Sequence, residues 1–134
     1  EDGDTVMTEE ARREDRAWFE GAKKKEMAEA ERRREAYLGN RKRPDVEGKT
    51  ALVVDDGIAT GLTMRCVLKE IAHRKPAKVV VAVPVAPADA IEALRKEVDE
   101  VIVLTDLSWG SIGAAYETFG QVSDEEVIKM MSGL

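Results

Sequence analysis

The sequence predicts an α/β fold in which helical crossovers link the strands of a parallel sheet. Three short apolar runs lack strict alternation with polar residues, as expected of parallel strands covered on both faces: 51–54, 78–83 and 101–104. The two segments between these runs place apolar residues at helical spacing. Strands and helices that alternate in this way are typical of a parallel sheet, whose ligands bind beyond the carboxyl ends of the strands.

The first predicted element is a charged helix. Residues 9–35 carry nine acidic and nine basic side chains and few large apolar ones, so we expect a solvated helix. Thr8 is suited to cap its start and Gly39 to end it, while Gly21 leaves open a division into two helices. The balanced charge favours an exposed helix face over a site for a polyanion.

The composition changes near Lys49, where short apolar runs replace the charged pattern. We expect residues 1–48 to form a charged helical arm and residues 49–134 to form an α/β core with a C-terminal helix. The apolar positions of the predicted crossover helices are Met64, Val67, Leu68, Ile71 and Ala72 in the first and Ile91, Leu94 and Val98 in the second.

Two local features set the ends of the later elements. Pro84 and Pro87 are expected to end the second strand, because proline has no N–H to donate to a sheet. Ser123 and Glu126 have the spacing of a capping box, which predicts the start of the last helix.

Composition excludes several classes of function. The net charge of −6 argues against a nucleic-acid binder, because neutralising phosphates requires a basic face. The single cysteine, Cys66, excludes an internal disulfide framework. No signal peptide and no apolar run of about 18 residues is present, so we expect a cytoplasmic protein with no membrane partner. His73 has no second ligand at a recognisable spacing, and we therefore predict no metal site made by the chain itself.

The stretch DDGIATGLT, residues 55–63, joins the first strand to the first crossover helix. Its small residues let a ligand approach the backbone, whose free N–H groups converge with the positive end of the helix. This geometry predicts an anion site, to which the Thr60 and Thr63 hydroxyls can add donors. Asp55 and Asp56 would repel a phosphate, so they are better suited to hydroxyl groups beside it or to a divalent cation. A phosphate next to vicinal hydroxyls describes a ribose 5-phosphate.

Two other interpretations of the aspartate pair remain open. An apolar strand ending in two acids also opens the pocket of response-regulator receiver domains, but no phosphoryl-accepting aspartate follows the second strand at 78–83. A simple turn is the other alternative, with Asp56 and Gly57 as turn formers and Thr63 as a helix cap.

The stretch VVDDGIATGLT resembles the phosphoribosyl-pyrophosphate motif of the type I phosphoribosyltransferases. The segments RRREAYLGNRKRPDVEGKT, VAVPVAP and YETFGQVSDEEV are similar to those of a bacterial and archaeal branch of that family whose substrates are poorly defined. The resemblance extends over about residues 31–131. It implies a Rossmann-like sheet and transfer of a phosphoribosyl group.

The resemblance also implies a role for each residue of the loop. Asp55 and Asp56 would be the catalytic acids that hold the ribose hydroxyls. The residues that would wrap the 5-phosphate are Ala59, Thr60, Gly61, Leu62 and Thr63, and Gly57 would be a further substrate-binding residue of the same loop. A nitrogenous base would displace pyrophosphate from the anomeric carbon, with Mg²⁺ carried by the diphosphate. The partners would be phosphoribosyl pyrophosphate or a nucleoside monophosphate. Trp109 could stack on the base or pack under its own loop.

One departure from the family leaves the function open. The family's sheet begins with earlier strands, one of which carries a loop that grips pyrophosphate, and we find no counterpart of them here. We therefore expect a missing N-terminal segment or a homo-oligomer to complete the sheet. Two alternatives to a transferase follow: a non-catalytic nucleotide or ribose-phosphate module, and an interaction subunit that completes another chain.

Overall fold

The computed structural model describes residues 16–39, 41–42, 44–107 and 110–133. The described residues from 45 to 119 belong to one compact unit, and those before 45 and after 119 belong to a second. The elements in chain order are α1 (Arg16–Leu38), β1 (Thr50–Val54), α2 (Leu62–His73), β2 (Lys78–Ala86), α3 (Ala88–Leu94), β3 (Glu100–Asp106), a 3₁₀ turn (Ile112–Ala115) and α4 (Asp124–Met131). The predicted domain boundary near residue 49 stays a prediction, because packing units do not by themselves define domains.

The first unit is built on a three-stranded parallel sheet in the order β1-β2-β3. Its register aligns Thr50 with Lys78 and Val80 with Glu100. The helices α2 and α3 are the two crossovers between successive strands. The predicted α/β fold with parallel strands and helical crossovers is confirmed.

The buried core of this unit joins both crossover helices to the central strand. Met64 and Leu68 of α2 pack with Val81 and Val83 of the central strand, and Leu94 of α3 completes the same cluster. All five side chains are buried. The helix residues among them cover the sheet as their spacing indicated. The prediction is wrong for Val67 and Ala72 of the first crossover, which are exposed, and Val98 of the second packs against the core from beyond the end of α3.

The edge strands differ from the sequence-based expectation. Leu52 and Val54 on β1 are 60% and 67% exposed, and Ile102 and Leu104 on β3 are 44% and 81% exposed. Val54 and Ile102 both align with Ala82, so these side chains share one face of the sheet. The prediction that all strands are covered on both faces is wrong for β1 and β3 in the part of the chain that the structure describes. An apolar run shows that a face of a strand can be buried, but it does not show whether another element covers that face.

The second strand is longer than predicted. Pro84 does not end it, because β2 continues to Ala86. Val83 pairs with Val103 and Val85 pairs with Thr105, so β2 stays paired with β3 on both sides of Pro84, which has no N–H to donate. Pro87 follows the strand as expected and stands at the N-cap of α3.

The second unit contains α1 and α4. The helix α1 is continuous through Gly21, and Gly39 ends it in the left-handed conformation at φ +55°. Asp124 at the start of α4 accepts hydrogen bonds from the Tyr37 hydroxyl at 2.6 Å and from Arg32 Nη1 at 2.8 Å. The predicted cap Thr8 lies outside the described residues.

The capping box predicted for the last helix is confirmed. The Ser123 hydroxyl accepts from the Glu126 backbone N–H, and the Glu126 carboxylate accepts from the Ser123 backbone N–H. No described helix combines the length and the apolarity that a bilayer span requires.

Candidate functional site

The candidate site is the loop between β1 and α2. Asp55 and Asp56 follow the last residue of β1, at the carboxyl end of the sheet. The middle of the loop is anchored to the central strand, because Ile58 donates its backbone N–H to the Val85 carbonyl at 2.9 Å. The Ile58 side chain is also buried in the core. The loop is therefore fixed by a hydrogen bond and by apolar packing rather than suspended between its ends.

The start of α2 is open to a ligand. Gly61 stands at the N-cap in the left-handed conformation, with φ +73°, which glycine adopts at little cost. In the residues that the structure describes, no side chain caps this helix end. The first backbone N–H groups of α2 thus keep their capacity to bind an anion, and the helix dipole favours one there.

An open cleft of about 230 Å³ lies along this loop. Its lining contains a continuous stretch from Asp55 to Met64 together with Ile112. The cleft includes eight residues predicted from the sequence: Asp55, Asp56, Gly57, Ala59, Thr60, Gly61, Leu62 and Thr63. Their roles stay predictions, although their convergence on one cleft is a fact of the structure. Trp109, the ninth predicted residue, lies outside the described residues.

The two carboxylates differ in their surroundings. Asp55 is half-buried, and its Oδ1 accepts the backbone N–H of Asp56 at 3.0 Å. Asp56 is exposed at the mouth of the loop. Among the described residues, the lining of the cleft includes these two acids and no lysine, arginine or histidine. Two neighbouring carboxylates fit hydroxyl donors or a hard cation such as Mg²⁺, whose preferred ligands are oxygen atoms.

Gly57 lies where a larger residue would collide with two neighbouring side chains. A Cβ atom at this position would lie 2.7 Å from Ile112 Cγ2 and 2.8 Å from Val85 Cγ1. Both distances are shorter than carbon atoms normally approach each other. The glycine therefore allows the loop, the central strand and the 3₁₀ turn to pack against one another.

The segment after β3 also contacts the loop, which sequence reasoning missed. Ile112 packs on Gly57, and the Tyr116 hydroxyl donates a hydrogen bond to the Asp56 backbone carbonyl. The Tyr116 and Phe119 rings lie with their centroids 5.0 Å apart. Their spacing in sequence is helical, but they follow the 3₁₀ turn in irregular backbone. No local pattern in the sequence indicates these contacts.

The described residues contain no cluster of three or more histidine, cysteine, aspartate or glutamate side chains arranged to hold a metal.

The fold and the cleft together define a parallel α/β protein with a candidate phosphate-binding loop at a strand–helix junction. The family described as phosphoribosyl transferase domain matches residues 6–118. The chain belongs to this family, and the resemblance identified in the sequence is confirmed.

Individual relatives agree with this assignment. Two sequences from strains of Mycobacterium tuberculosis, named "Putative phosphoribosyl transferase MT0597" and "Putative phosphoribosyl transferase Rv0571c", are each 34% identical to this chain over 135 residues. The match covers 98% of this chain but 30% of each relative. The crystal structure of TT1426 from Thermus thermophilus matches with a TM-score of 0.75 and 34% identity, covering 96% of this chain and 62% of that one. This chain thus spans less than two thirds of the length of the proteins it matches.

Proposed function

We propose that this chain provides the phosphoribosyl-binding site of a phosphoribosyltransferase that acts on phosphoribosyl pyrophosphate or a nucleoside monophosphate. The observation that carries the proposal is the cleft, where two adjacent carboxylates meet a small-residue loop and the uncapped start of α2. Membership of the phosphoribosyl transferase domain family supports it. The transfer would take place to or from a nitrogenous base.

The phosphate half of the site would be made mainly by backbone groups. The N–H groups between Ala59 and Thr63 lie at the helix start, where the dipole favours a negative ligand. Thr60 and Thr63 are exposed on the same stretch, so their hydroxyls can add donors. Gly61 keeps this surface free of a side chain. A 5-phosphate would then be bound without a basic residue in the described lining.

The ribose half of the site would use Asp55 and Asp56. Carboxylates accept hydrogen bonds from vicinal hydroxyls, and such charge-assisted bonds are about twice as strong as neutral ones. Departure of pyrophosphate leaves positive charge on the ribose ring, which nearby negative groups stabilise. Mg²⁺ would reach the site on the diphosphate, where it offsets the repulsion between the substrate and the two acids.

A second candidate is a non-catalytic ribose-phosphate or nucleotide module. The observation that favours it is the described cleft lining, which offers backbone donors for one phosphate but no basic side chain for a diphosphate. Such a module would bind ribose 5-phosphate and release it unchanged. Completion of the sheet by a second copy or by a further segment stays a prediction for both candidates.

The test is a calorimetric titration with phosphoribosyl pyrophosphate and with ribose 5-phosphate, each with and without MgCl₂. The chain is compared with its Asp55→Asn, Asp56→Asn double variant. The control is the Glu47→Gln, Glu92→Gln double variant, which removes two exposed negative charges away from the cleft. Losing bonds to charged groups costs about 1.5–3 kcal/mol each, so the aspartate variant should bind at least about tenfold more weakly.

The outcomes separate the candidates. Mg²⁺-dependent binding of phosphoribosyl pyrophosphate that the aspartate variant loses and the control keeps supports the transferase site. Binding of ribose 5-phosphate alone supports the module. If the folded chain binds neither ligand, the ribose-phosphate assignment is wrong. If both variants bind as the parent chain does, the assignment of the ribose hydroxyls to Asp55 and Asp56 is wrong.

A further inference from the structure

We propose that Tyr116 is a positioning residue for the ribose-phosphate loop. Its hydroxyl donates to the Asp56 carbonyl oxygen and thereby fixes the peptide unit that joins Asp56 to Gly57. The consequence for ligand binding rests on the function proposed above, whereas the consequence for the loop itself does not. Tyr116 would not touch the substrate; it would act through the backbone of a residue that does.

Among the described contacts, three successive peptide units of the loop each take part in a hydrogen bond, the first to a side chain of the loop and the other two to residues outside it. The unit between Asp55 and Asp56 is held by the Asp55 carboxylate, which accepts the Asp56 N–H at 3.0 Å. The unit between Gly57 and Ile58 is held by the Val85 carbonyl, which accepts the Ile58 N–H at 2.9 Å. Tyr116 holds the unit between them.

This middle unit joins Asp56 to Gly57, and the Tyr116 hydroxyl holds it through its carbonyl oxygen. A peptide unit is planar, so fixing its carbonyl also fixes the direction of its N–H, which belongs to Gly57. Glycine is the residue with the widest backbone freedom, and rotation of the peptide unit about the Asp56 ψ and the Gly57 φ would redirect the Gly57 N–H. The Tyr116 hydrogen bond removes that freedom before a ligand arrives. Such preorganisation lowers the entropy lost on binding.

Tyr116 is itself held by its own segment. Its ring lies against that of Phe119 with centroids 5.0 Å apart and planes inclined by 40°. Phe119 in turn packs on the 3₁₀ turn, where a Cβ on Gly113 would lie 3.0 Å from Phe119 Cδ1. Ile112 of the same turn contacts the Gly57 position. The segment therefore reaches the loop at two adjacent points, one polar and one apolar.

The perturbation that tests this is Tyr116→Phe, which keeps the ring and its pairing with Phe119 and removes the hydroxyl. The matched control is Tyr37→Phe, which removes a hydroxyl that donates to Asp124 Oδ1 at 2.6 Å and that is not part of the described cleft lining. The first readout is the set of backbone amide resonances of Asp56, Gly57 and Ile58 in the ligand-free chain. The second is the affinity for ribose 5-phosphate and for phosphoribosyl pyrophosphate with MgCl₂.

We expect Tyr116→Phe to shift and broaden the Gly57 amide resonance, and to weaken binding by about three- to tenfold, the effect of one neutral hydrogen bond. Tyr37→Phe should change neither. Unchanged loop amides in Tyr116→Phe would overturn the positioning role, whether or not the chain binds a ligand. Altered amides with unchanged affinity would overturn its link to the site. A parent chain that binds neither ligand refutes the proposed function, and the amide readout still decides whether Tyr116 holds the loop.

Discussion

Replacing Gly57 with alanine is expected to destabilise the α/β unit because the added methyl group has no room. The new Cβ would lie 2.7 Å from Ile112 Cγ2, 2.8 Å from Val85 Cγ1 and 3.1 Å from Ile112 Cγ1. Val85 is 1% exposed in the central strand and cannot retreat without disturbing the core. Ile112 is half-buried on the 3₁₀ turn, so relief must come from moving that turn or the loop.

The size of the effect follows from this geometry. Inserting a methyl group into a packed site typically costs about 1–3 kcal/mol. For a chain of this length, each kcal/mol lowers the melting temperature by roughly 4 °C, which gives a fall of about 4–12 °C. Substituting Ile112 by alanine in the same chain removes both of its contacts with the new Cβ but leaves the contact with Val85 Cγ1 in place. The double variant should therefore recover part of the loss.

The assay is urea unfolding followed by circular dichroism, applied as a double-mutant cycle of Gly57→Ala with Ile112→Ala. Gly120→Ala is the neutral control, because a Cβ there meets no atom within 4 Å. Gly61→Ala is the second control: its Cβ would lie 3.8 Å from Ile58 Cγ2, but its φ of +73° is unfavourable for alanine. The stability that Gly61→Ala loses should not be recovered when Ile112→Ala is added. A Gly57→Ala variant as stable as Gly120→Ala, or a cycle with no coupling energy, would refute the steric reasoning.

Two further predictions concern α1 and α4. Ser123→Ala removes the hydroxyl that caps α4 and should lower the free energy of unfolding of that helix by about 1 kcal/mol. The measurement is urea unfolding against Ser111→Ala, because the Ser111 side chain makes no cap hydrogen bond in the described residues. Arg32 and Arg33 lower the pKa of Glu29 to about 2, and the Tyr37 hydroxyl and Arg32 lower the pKa of Asp124. Both carboxylates thus favour the folded state above their unfolded pKa values near 4, and helicity should fall as the pH drops towards 2, less steeply in Asp124→Asn. A pH profile unchanged by Asp124→Asn would contradict this.

The order of the elements could be predicted because it is written in local patterns. The spacing of Met64 and Leu68 predicted α2, and both side chains bury into the core. The two edge strands could not be predicted as fully, because exposure depends on what packs against a face. The apolar runs of β1 and β3 are compatible both with a sheet face that another element covers and with one that is left exposed, so the sequence does not distinguish the two. Pro84 misled for a related reason: a missing N–H interrupts pairing at one position without ending a strand.

The candidate cleft divides in the same way. The residues from Asp55 to Thr63 could be predicted together because one short stretch of sequence makes most of the cleft lining. Ile112 and Tyr116 could not, because Tyr116 lies 60 positions from Asp56 and Ile112 is similarly remote from Gly57, so that their contacts arise only from folding. The tight packing at Gly57 is the trace that these contacts leave in the loop. A glycine at a position without positive φ is therefore informative about a neighbour that the sequence does not reveal.

Because the cleft carries negative charge, the Mg²⁺ dependence of ligand affinity distinguishes its phosphate-binding half from its ribose-binding half. Ribose 5-phosphate has one phosphate, which backbone donors at the start of α2 can bind without a cation. Phosphoribosyl pyrophosphate would add a diphosphate to a cleft whose described lining contains Asp55 and Asp56 but no basic side chain. The repulsion between these groups must be offset by a cation. A strong Mg²⁺ dependence for phosphoribosyl pyrophosphate and a weak one for ribose 5-phosphate would therefore locate the metal at the diphosphate rather than at the loop. Equal dependence for both ligands would place the metal on the aspartates themselves.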